Sequence, residues 1–342
     1  MSPPVPIPAP VSTRLTDSHG RAITDLRVSI TDRCNYKCVY CRTGTDGAQY
    51  AELPIVDYLR LIRVFVGLGI EKVRLTGGEP LLRHGLLDLL RELRQMRTLD
   101  GAPLDLALTT NGHLLESMAA PLHDAGLQRV TVSMDAVDAK TFERITRVPG
   151  SFAQVLAGIR AAKAAGLEPV KVNCVLLRGF NDDQIVAFAK FSREEGVIVR
   201  FIEFMPLEED RLWTPEVVVP LREIVQRLEV FRPLRRLAPN AASETAVRYT
   251  FEDGVGEIGI IAPVSQAFCG QCSRVRLTSD GKIRTCLFSQ SDHDVYRVMQ
   301  RGGSDEEIAR FIQQTIAHKE ARHHIGEPGF LKPSRSMVHI GG

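Results

Sequence analysis

The sequence predicts an α/β protein built on a parallel sheet covered by helices, and three features of it carry that prediction. Short β-rich runs alternate with stretches whose apolar residues recur at three- and four-residue spacing, the alternation repeats six times, and the pattern breaks after Pro206. In chain order the β-rich runs are 26–30, 73–76, 104–109, 130–133, 170–176 and 198–204. After the first, Ile55, Leu59, Ile62 and Val66 share one face of a helix, and after the second Leu86, Leu89, Leu90 and Leu93 do the same. Near-continuous apolar strands between amphipathic helices fit a doubly wound sheet or a barrel, and periodicity does not separate the two. Past Pro206 a helix-like stretch at 221–228 leads to a proline- and arginine-rich segment through Pro239, then to β-like runs at 247–251 and 257–261. The expected organisation is a flexible proline-rich tail at 1–24, the βα series at 25–235 and a C-terminal extension at 236–342, without internal repeats.

Length and charge bound the function classes. A chain of 342 residues, 44% hydrophobic and 25% charged, has the material for a full core. Its formal charge of +2 is too slight for wholesale nucleic-acid or membrane-surface binding, which need a concentrated basic field, so any anion site is local. No run of about twenty apolar residues exists to span a bilayer, and residues 1–10 are broken by prolines where a secretory signal needs an apolar stretch. The expectation is a cytoplasmic protein with no nucleic-acid or membrane partner. Seven cysteines are too few for a disulfide scaffold in this length, and six of them form two tight triplets, which in a reducing compartment points to metal. The seventh, Cys174, lies within an apolar run and reads as a small buried hydrophobe.

Cys34, Cys38 and Cys41 form C-x3-C-x2-C directly after the first β-rich run. Three soft thiolates this close can hold one iron–sulfur cubane and leave its fourth iron open for chemistry. A structural zinc site wants a fourth nitrogen or sulfur ligand, and the next histidine downstream is His84, although a zinc knuckle or unligated thiols stay open on spacing alone. Gly77-Gly78-Glu79-Pro80 follows the second run. Glycines let backbone approach a ligand closely, but a plain strand-to-helix connection would use them too. Ser133 closes the fourth run, where it can face a ligand or cap the next helix.

The second triplet, Cys269, Cys272 and Cys286, forms C-x2-C-x13-C outside the βα series. A cubane with one open iron fits, and so does zinc, because C-x2-C is a common zinc half-site and His293 lies just beyond. Arg274 and Arg276 alternate along a short β-like run, which puts both guanidinium groups on one face, suited to bidentate phosphate contact. Arg27, Arg74 and Lys171 each fall on a predicted strand, where a cation among apolar neighbours needs either a carboxylate or a bound anion.

The first triplet, with Tyr40 just before its last cysteine and Gly77-Gly78-Glu79-Pro80 after the second strand, resembles the radical S-adenosylmethionine (SAM) superfamily. The resemblance implies an incomplete (βα)6 TIM-type barrel with its active site at the C-terminal strand ends. It also implies that the open iron at Cys34, Cys38 and Cys41 chelates SAM, whose reductive cleavage gives a 5′-deoxyadenosyl radical. The stretch from Phe268 to Leu277, then Gly281-Lys282, Cys286-Leu287 and the terminal Gly341-Gly342, is similar to the molybdenum-cofactor biosynthesis protein A family, and the likeness runs from about Arg27 to the end. Membership implies a GTP 3′,8-cyclase, a lyase with SAM and two [4Fe–4S] clusters as cofactors. In that reaction the radical takes the ribose 3′ hydrogen of GTP and the carbon radical adds to guanine carbon 8, opening molybdenum cofactor biosynthesis. The C-terminal α+β extension is then implied to carry the second cluster and to close the mouth opposite the SAM cluster.

Carried over position by position, the resemblance makes Cys34, Cys38 and Cys41 ligands of the first cluster and Cys269, Cys272 and Cys286 ligands of the second. Tyr40, Gly78, Ser133 and Met205 are the implied SAM contacts. Arg27, Arg74, Thr109, Lys171, Arg274, Val275 and Arg276 are the implied GTP contacts, and Arg274 and Arg276 join the first triplet as the implied catalytic set. Gly341-Gly342 is implied to enter the barrel near the substrate. The implied partners are a one-electron donor such as flavodoxin and a cyclic pyranopterin monophosphate synthase that takes the product, and a homodimer is compatible with this reading. Departures from the family are the longer proline-rich tail and Arg42-Thr43, where a methionine–proline pair is usual. The rival reading is another radical SAM enzyme with an auxiliary cluster, such as a peptide-modifying maturase, which has no use for Arg274, Arg276 and the glycine end.

Overall fold

Side chains alternate across a strand, so a strand that places valine and leucine on one face of a sheet presents whatever lies between them on the other. In β2 (Lys72–Thr76) the fully buried Val73 and Leu75 face the helices, and Lys72, Arg74 and Thr76 face the opposite way. The same alternation runs through β1 (Asp25–Ser29), β3 (Asp105–Thr110), β4 (Arg129–Ser133), β5 (Lys171–Leu176) and β6 (Ile198–Glu203). The expectation of near-continuous apolar strands is therefore corrected: one face is apolar and the other is polar and largely cationic. The structure, a computed structural model, describes residues 14–41, 47–209 and 212–341.

The remaining strands are β7 (Leu234–Leu237), β8 (Ala246–Phe251), β9 (Glu257–Ile261), β10 (Arg274–Leu277), β11 (Lys282–Arg284) and β12 (His293–Asp294). Among the described residues they form one sheet in the order β12-β11-β10-β1-β2-β3-β4-β5-β6-β9-β8-β7. From β1 to β6 each strand lies parallel beside its predecessor. Right-handed crossovers repeated in one direction carry every helix to the same face, which is the winding of a barrel wall. Strand order thus settles what periodicity left open. The helix Ile55–Gly67 buries Tyr58, Leu61, Ile62 and Phe65, and the helix Leu86–Gln95 buries Leu86, Leu89, Leu90 and Leu93. The wall stays open, because the outer neighbour of β1 is β10 and that of β6 is β9.

Those two pairings also correct the predicted divide at 235. It falls inside β7, and the chain beyond it lengthens both ends of the six-strand wall instead of forming a separate layer. The proline- and arginine-rich segment through Pro239 contains this edge strand, where exposed Arg235 and Arg236 suit a sheet margin. Met337–Ile340 is one turn of helix.

The predicted tail at 1–24 is corrected over its described part. Leu15 and Ile23 are buried, the Leu15 N–H donates to Leu68 O (2.9 Å), and the Ile23 N–H donates to Leu15 O (2.8 Å). Arg21 donates from Nε to Asp17 Oδ2 (2.6 Å) and from its other nitrogens to the carbonyls of Cys269 (2.9 Å), Glu320 (2.6 Å) and Ala321 (2.8 Å). Two apolar anchors and one buried ion pair leave no periodicity for a sequence reading to detect. Residues 1–10, Arg42-Thr43 and Gly342 lie outside the described residues.

Because Asp17 is shielded from water beside Arg21, Arg21→Ala leaves a buried carboxylate without its partner and is expected to destabilise the fold by about 3–5 kcal/mol. Guanidinium unfolding of the anaerobic protein checks this, and an unmoved midpoint contradicts it.

Candidate active site

The polar face of the sheet lines a cavity of about 590 Å³ that both cysteine triplets also line. Its walls carry nine cations, Arg27, Lys72, Arg74, Arg129, Lys171, Arg200, Arg274, Arg276 and Lys319, against three carboxylates, Asp25, Asp135 and Glu244. Strand register makes the crowding unavoidable: Arg27 lies directly between Arg74 of β2 and Arg276 of β10. Burial, and after it the neighbouring guanidinium groups, push Arg27 and Arg74 down to about 9. Burial does most to bring Lys171 to about 8 and Arg200 to about 10, and Arg276 falls well below its ordinary value for the same reason, with Arg27 and Arg274 adding to it. Several of the partners are neutral. Arg74 donates to the hydroxyls of Thr109 (3.2 Å) and Thr131 (3.1 Å), and Arg200 donates to Asn173 Oδ1 (2.9 Å). Such contacts satisfy N–H groups without cancelling charge, so the cavity is built for a polyanion.

The first triplet sits on the loop after β1, seated on the glycine turn that follows β2. A Cβ on Gly78 would lie 2.3 Å from Arg33 O, and one on Gly77 would lie 2.4 Å from Thr31 O. These glycines are thus required by the crossing of two backbones, a reason the sequence reading did not contain. Glu79 clamps the same turn to the end of β3. Its buried carboxylate accepts from the N–H groups of Leu81 (2.9 Å) and Asn111 (2.7 Å) and from the Thr110 hydroxyl (2.7 Å), and burial still pushes it up to about 7. Tyr40 donates to Asp135 Oδ2 (2.5 Å), whose other oxygen accepts from the Val175 N–H (2.8 Å), and burial pushes Asp135 up to about 6. Ser133 lines the cavity and does not cap the next helix, a role that Asp138 fills by accepting from the Thr141 N–H (2.8 Å). Met205 lines the cavity just beyond β6.

Burial, then Asp135 and the two sister thiols, push Cys38 well above the usual thiol range. Gathered thiols beside a carboxylate call for a positively charged group among them, and a metal cluster fits that donor set. Among the described residues no three His, Cys, Asp or Glu side chains converge as a single ion requires. A cubane, whose thiolates attach at separate corners, needs no such point.

In the second triplet, burial alone would raise Cys272, but Arg274 and Lys319 outweigh it and bring the thiol down to about 7. Lys319 Nζ donates to Arg274 O (3.0 Å), which ties the segment after the last long helix, Asp305–Ala317, to β10. The chain end enters here as well. Arg276 donates to the carbonyls of Ile340 (3.3 Å) and Gly341, and a Cβ on Gly341, at φ +74°, would stand 2.0 Å from Thr76 Oγ1. Cys174 is fully buried, and all seven cysteines are free thiols.

Of the residues named from the sequence, the six cluster cysteines, Tyr40, Gly78, Ser133, Met205, Arg27, Arg74, Thr109, Lys171, Arg274 and Arg276 all line this cavity. Val275 is not among the lining residues, because alternation along β10 turns its side chain into the core with no exposed surface. The sequence reading missed Lys72, Arg129, Arg200 and Lys319. Arg200 carried the signal that marked Arg74, a cation alternating with apolar residues on a predicted strand, whereas Lys72 and Arg129 stand one residue before the runs at 73–76 and 130–133. Lys319 lies off the strands and carried none.

Residues 28–192 match the family model for the radical SAM superfamily, and residues 197–325 match the one described as Molybdenum Cofactor Synthesis C, so the two meet well before residue 235. A GTP 3′,8-cyclase of Corynebacterium glutamicum is 42% identical over 98% of this chain and 91% of its own length. Those of Syntrophomonas wolfei and Moorella thermoacetica are 38% and 40% identical, each over 96% of this chain and 100% of their own lengths. Among solved structures, Streptococcus suis SuiB bound to S-adenosylmethionine superposes with a TM-score of 0.60 at 14% identity, covering 88% of this chain and 69% of SuiB. At that identity the likeness speaks for the radical SAM fold and for nothing narrower. Full-length relatives at about 40% identity go further, and the chain belongs to the GTP 3′,8-cyclase family of radical SAM enzymes.

Proposed function

We propose that the chain converts GTP to its 3′,8-cyclised dihydroguanosine triphosphate at the start of molybdenum cofactor biosynthesis, with SAM and two [4Fe–4S] clusters as cofactors. The observation that carries this reading is one cavity that joins two cysteine triplets across a floor of mutually repelling cations. When bound, the reduced first cluster supplies the electron that splits SAM into methionine and the radical that takes the ribose 3′ hydrogen. Cys34, Cys38 and Cys41 hold that cluster, and Tyr40, Gly78, Ser133 and Met205 hold SAM against it. Cys269, Cys272 and Cys286 hold the second cluster at the base end of GTP. Arg27, Arg74, Lys171, Arg274 and Arg276 take the triphosphate, Thr109 lies beside Arg74, and Val275 contributes backbone alone. With both ends of GTP held, the ribose has little freedom, and orientation of that kind acts on the chemical step. Depth in the cavity keeps water from the radicals.

A flavodoxin-like donor delivers the electrons, and a cyclic pyranopterin monophosphate synthase takes the product. The chain works in the cytoplasm, a reducing compartment that suits seven free thiols. Among the described residues no helix is long and apolar enough to cross a membrane.

Anaerobic turnover of GTP deuterated at the ribose 3′ carbon should place one deuterium in 5′-deoxyadenosine for each cyclised product, read by mass spectrometry. Unlabelled 5′-deoxyadenosine accompanying cyclised product would sink the mechanism. Arg274→Ala and Arg276→Ala should each weaken GTP binding by about one to two decades while SAM cleavage in the absence of GTP persists, because charge-assisted contacts are worth about 1.5–3 kcal/mol. Unchanged equilibrium binding in the double variant refutes this placement of the phosphates. Gly341→Ala forces a side chain into a left-handed backbone against Thr76. It should spare iron content and SAM binding and suppress cyclised product, and normal product formation would show that the chain end has no part in orienting GTP.

A further inference from the structure

His323 lines the same cavity as both triplets, and among the described residues neither of its ring nitrogens has a hydrogen-bond partner although both are shielded from solvent. Folded proteins keep few buried polar groups in that state, and a ligand is one reason to keep one. The position is not slack. Just before it, Lys319 is tied to Arg274 O (3.0 Å), and Arg21 reaches the carbonyls of Glu320 (2.6 Å) and Ala321 (2.8 Å). The Glu320 carboxylate accepts from the Thr285 hydroxyl (2.6 Å). On one side the imidazole packs on Phe288 at 5.2 Å between ring centroids, and the Phe288 N–H donates to Cys286 Sγ (3.5 Å). His323 is therefore held on the second-triplet side of the cavity.

Burial first, then the nearby His324, Arg322 and Arg274 outweighing Glu327, lower the ring below its ordinary value and favour the neutral form. A neutral imidazole offers one donor and one acceptor. Phosphate oxygens at neutral pH mostly accept, whereas a purine edge presents donors and acceptors together. We infer that His323 is a substrate-contact residue that hydrogen-bonds the guanine end of GTP and seats the base beside the second triplet. The inference rests on the reading of GTP as substrate.

The test titrates anaerobically reconstituted holoenzyme with GTP and, separately, with inorganic tripolyphosphate, for the parent, His323→Phe and His323→Gln. Phenylalanine keeps a ring against Phe288 and loses both nitrogens, and glutamine restores a donor and an acceptor. At unchanged iron content, the Phe variant should bind GTP about tenfold more weakly and the Gln variant within about threefold of the parent. Both should bind tripolyphosphate as the parent does. Parental GTP affinity in the Phe variant overturns the inference, as does a parallel loss of tripolyphosphate binding, which would make His323 a phosphate contact. Iron content below the parent's also overturns it, because His323 would then serve the cluster or the fold. Failure of the parent holoenzyme to bind GTP removes the substrate reading and the inference with it, so the two failures are told apart.

Discussion

The repulsion among Arg27, Arg74 and Arg276 is the constraint on which the rest of the site depends. Three arginines in direct register on adjacent strands start from backbones about 4.8 Å apart, and their charges repel one another once water is excluded. The apolar face of the same strands leaves no alternative arrangement. Leu26, Val28, Val73, Leu75, Val275 and Leu277 are fully buried under the helices, and a shift of register by one residue would drive the cations into that core. Packing outside the barrel therefore dictates charge inside it. A polyanion relieves that repulsion.

The loop that carries the first triplet depends on contacts of a different kind. Its described residues between β1 and the helix Ile55–Gly67 have no regular secondary structure, and backbone crossing at Gly77 and Gly78 sets its course. Glu79 locks that crossing to β3, and the Tyr40–Asp135 bond locks the far end of the triplet to the segment between β4 and β5. Each lock is a buried carboxylate supplied with donors. Rigidity at the cluster loop thus comes from satisfied polar groups and not from helix or strand ladders.

The C-terminal third reaches the cavity by extending the sheet at both ends. β9 joins β6 while β10 joins β1, which brings the second triplet across from the first, and a small apolar cluster of Leu207, Phe288, Ile325 and Ile340 packs against Cys286. Arg21 closes this arrangement from the opposite end of the chain, holding the carbonyls of Cys269, Glu320 and Ala321 at once. A residue early in the chain and a cysteine 248 positions later share one buried guanidinium.

What could be read in advance was whatever short stretches of chain decide alone. Both cysteine triplets, the six strands, and the isolated cations at Arg27, Arg74 and Lys171 are visible because thiol spacing and side-chain alternation are properties of a few consecutive residues. The same rule would have flagged Arg200. The direction in which strands add to the sheet, the meeting of the two triplets in one cavity, the anchoring of residues 14–24 and the stranded imidazole of His323 were decided only in three dimensions. Each depends on which distant segment lies alongside, and periodicity, which tells one face of an element from the other, carries no record of what that face meets.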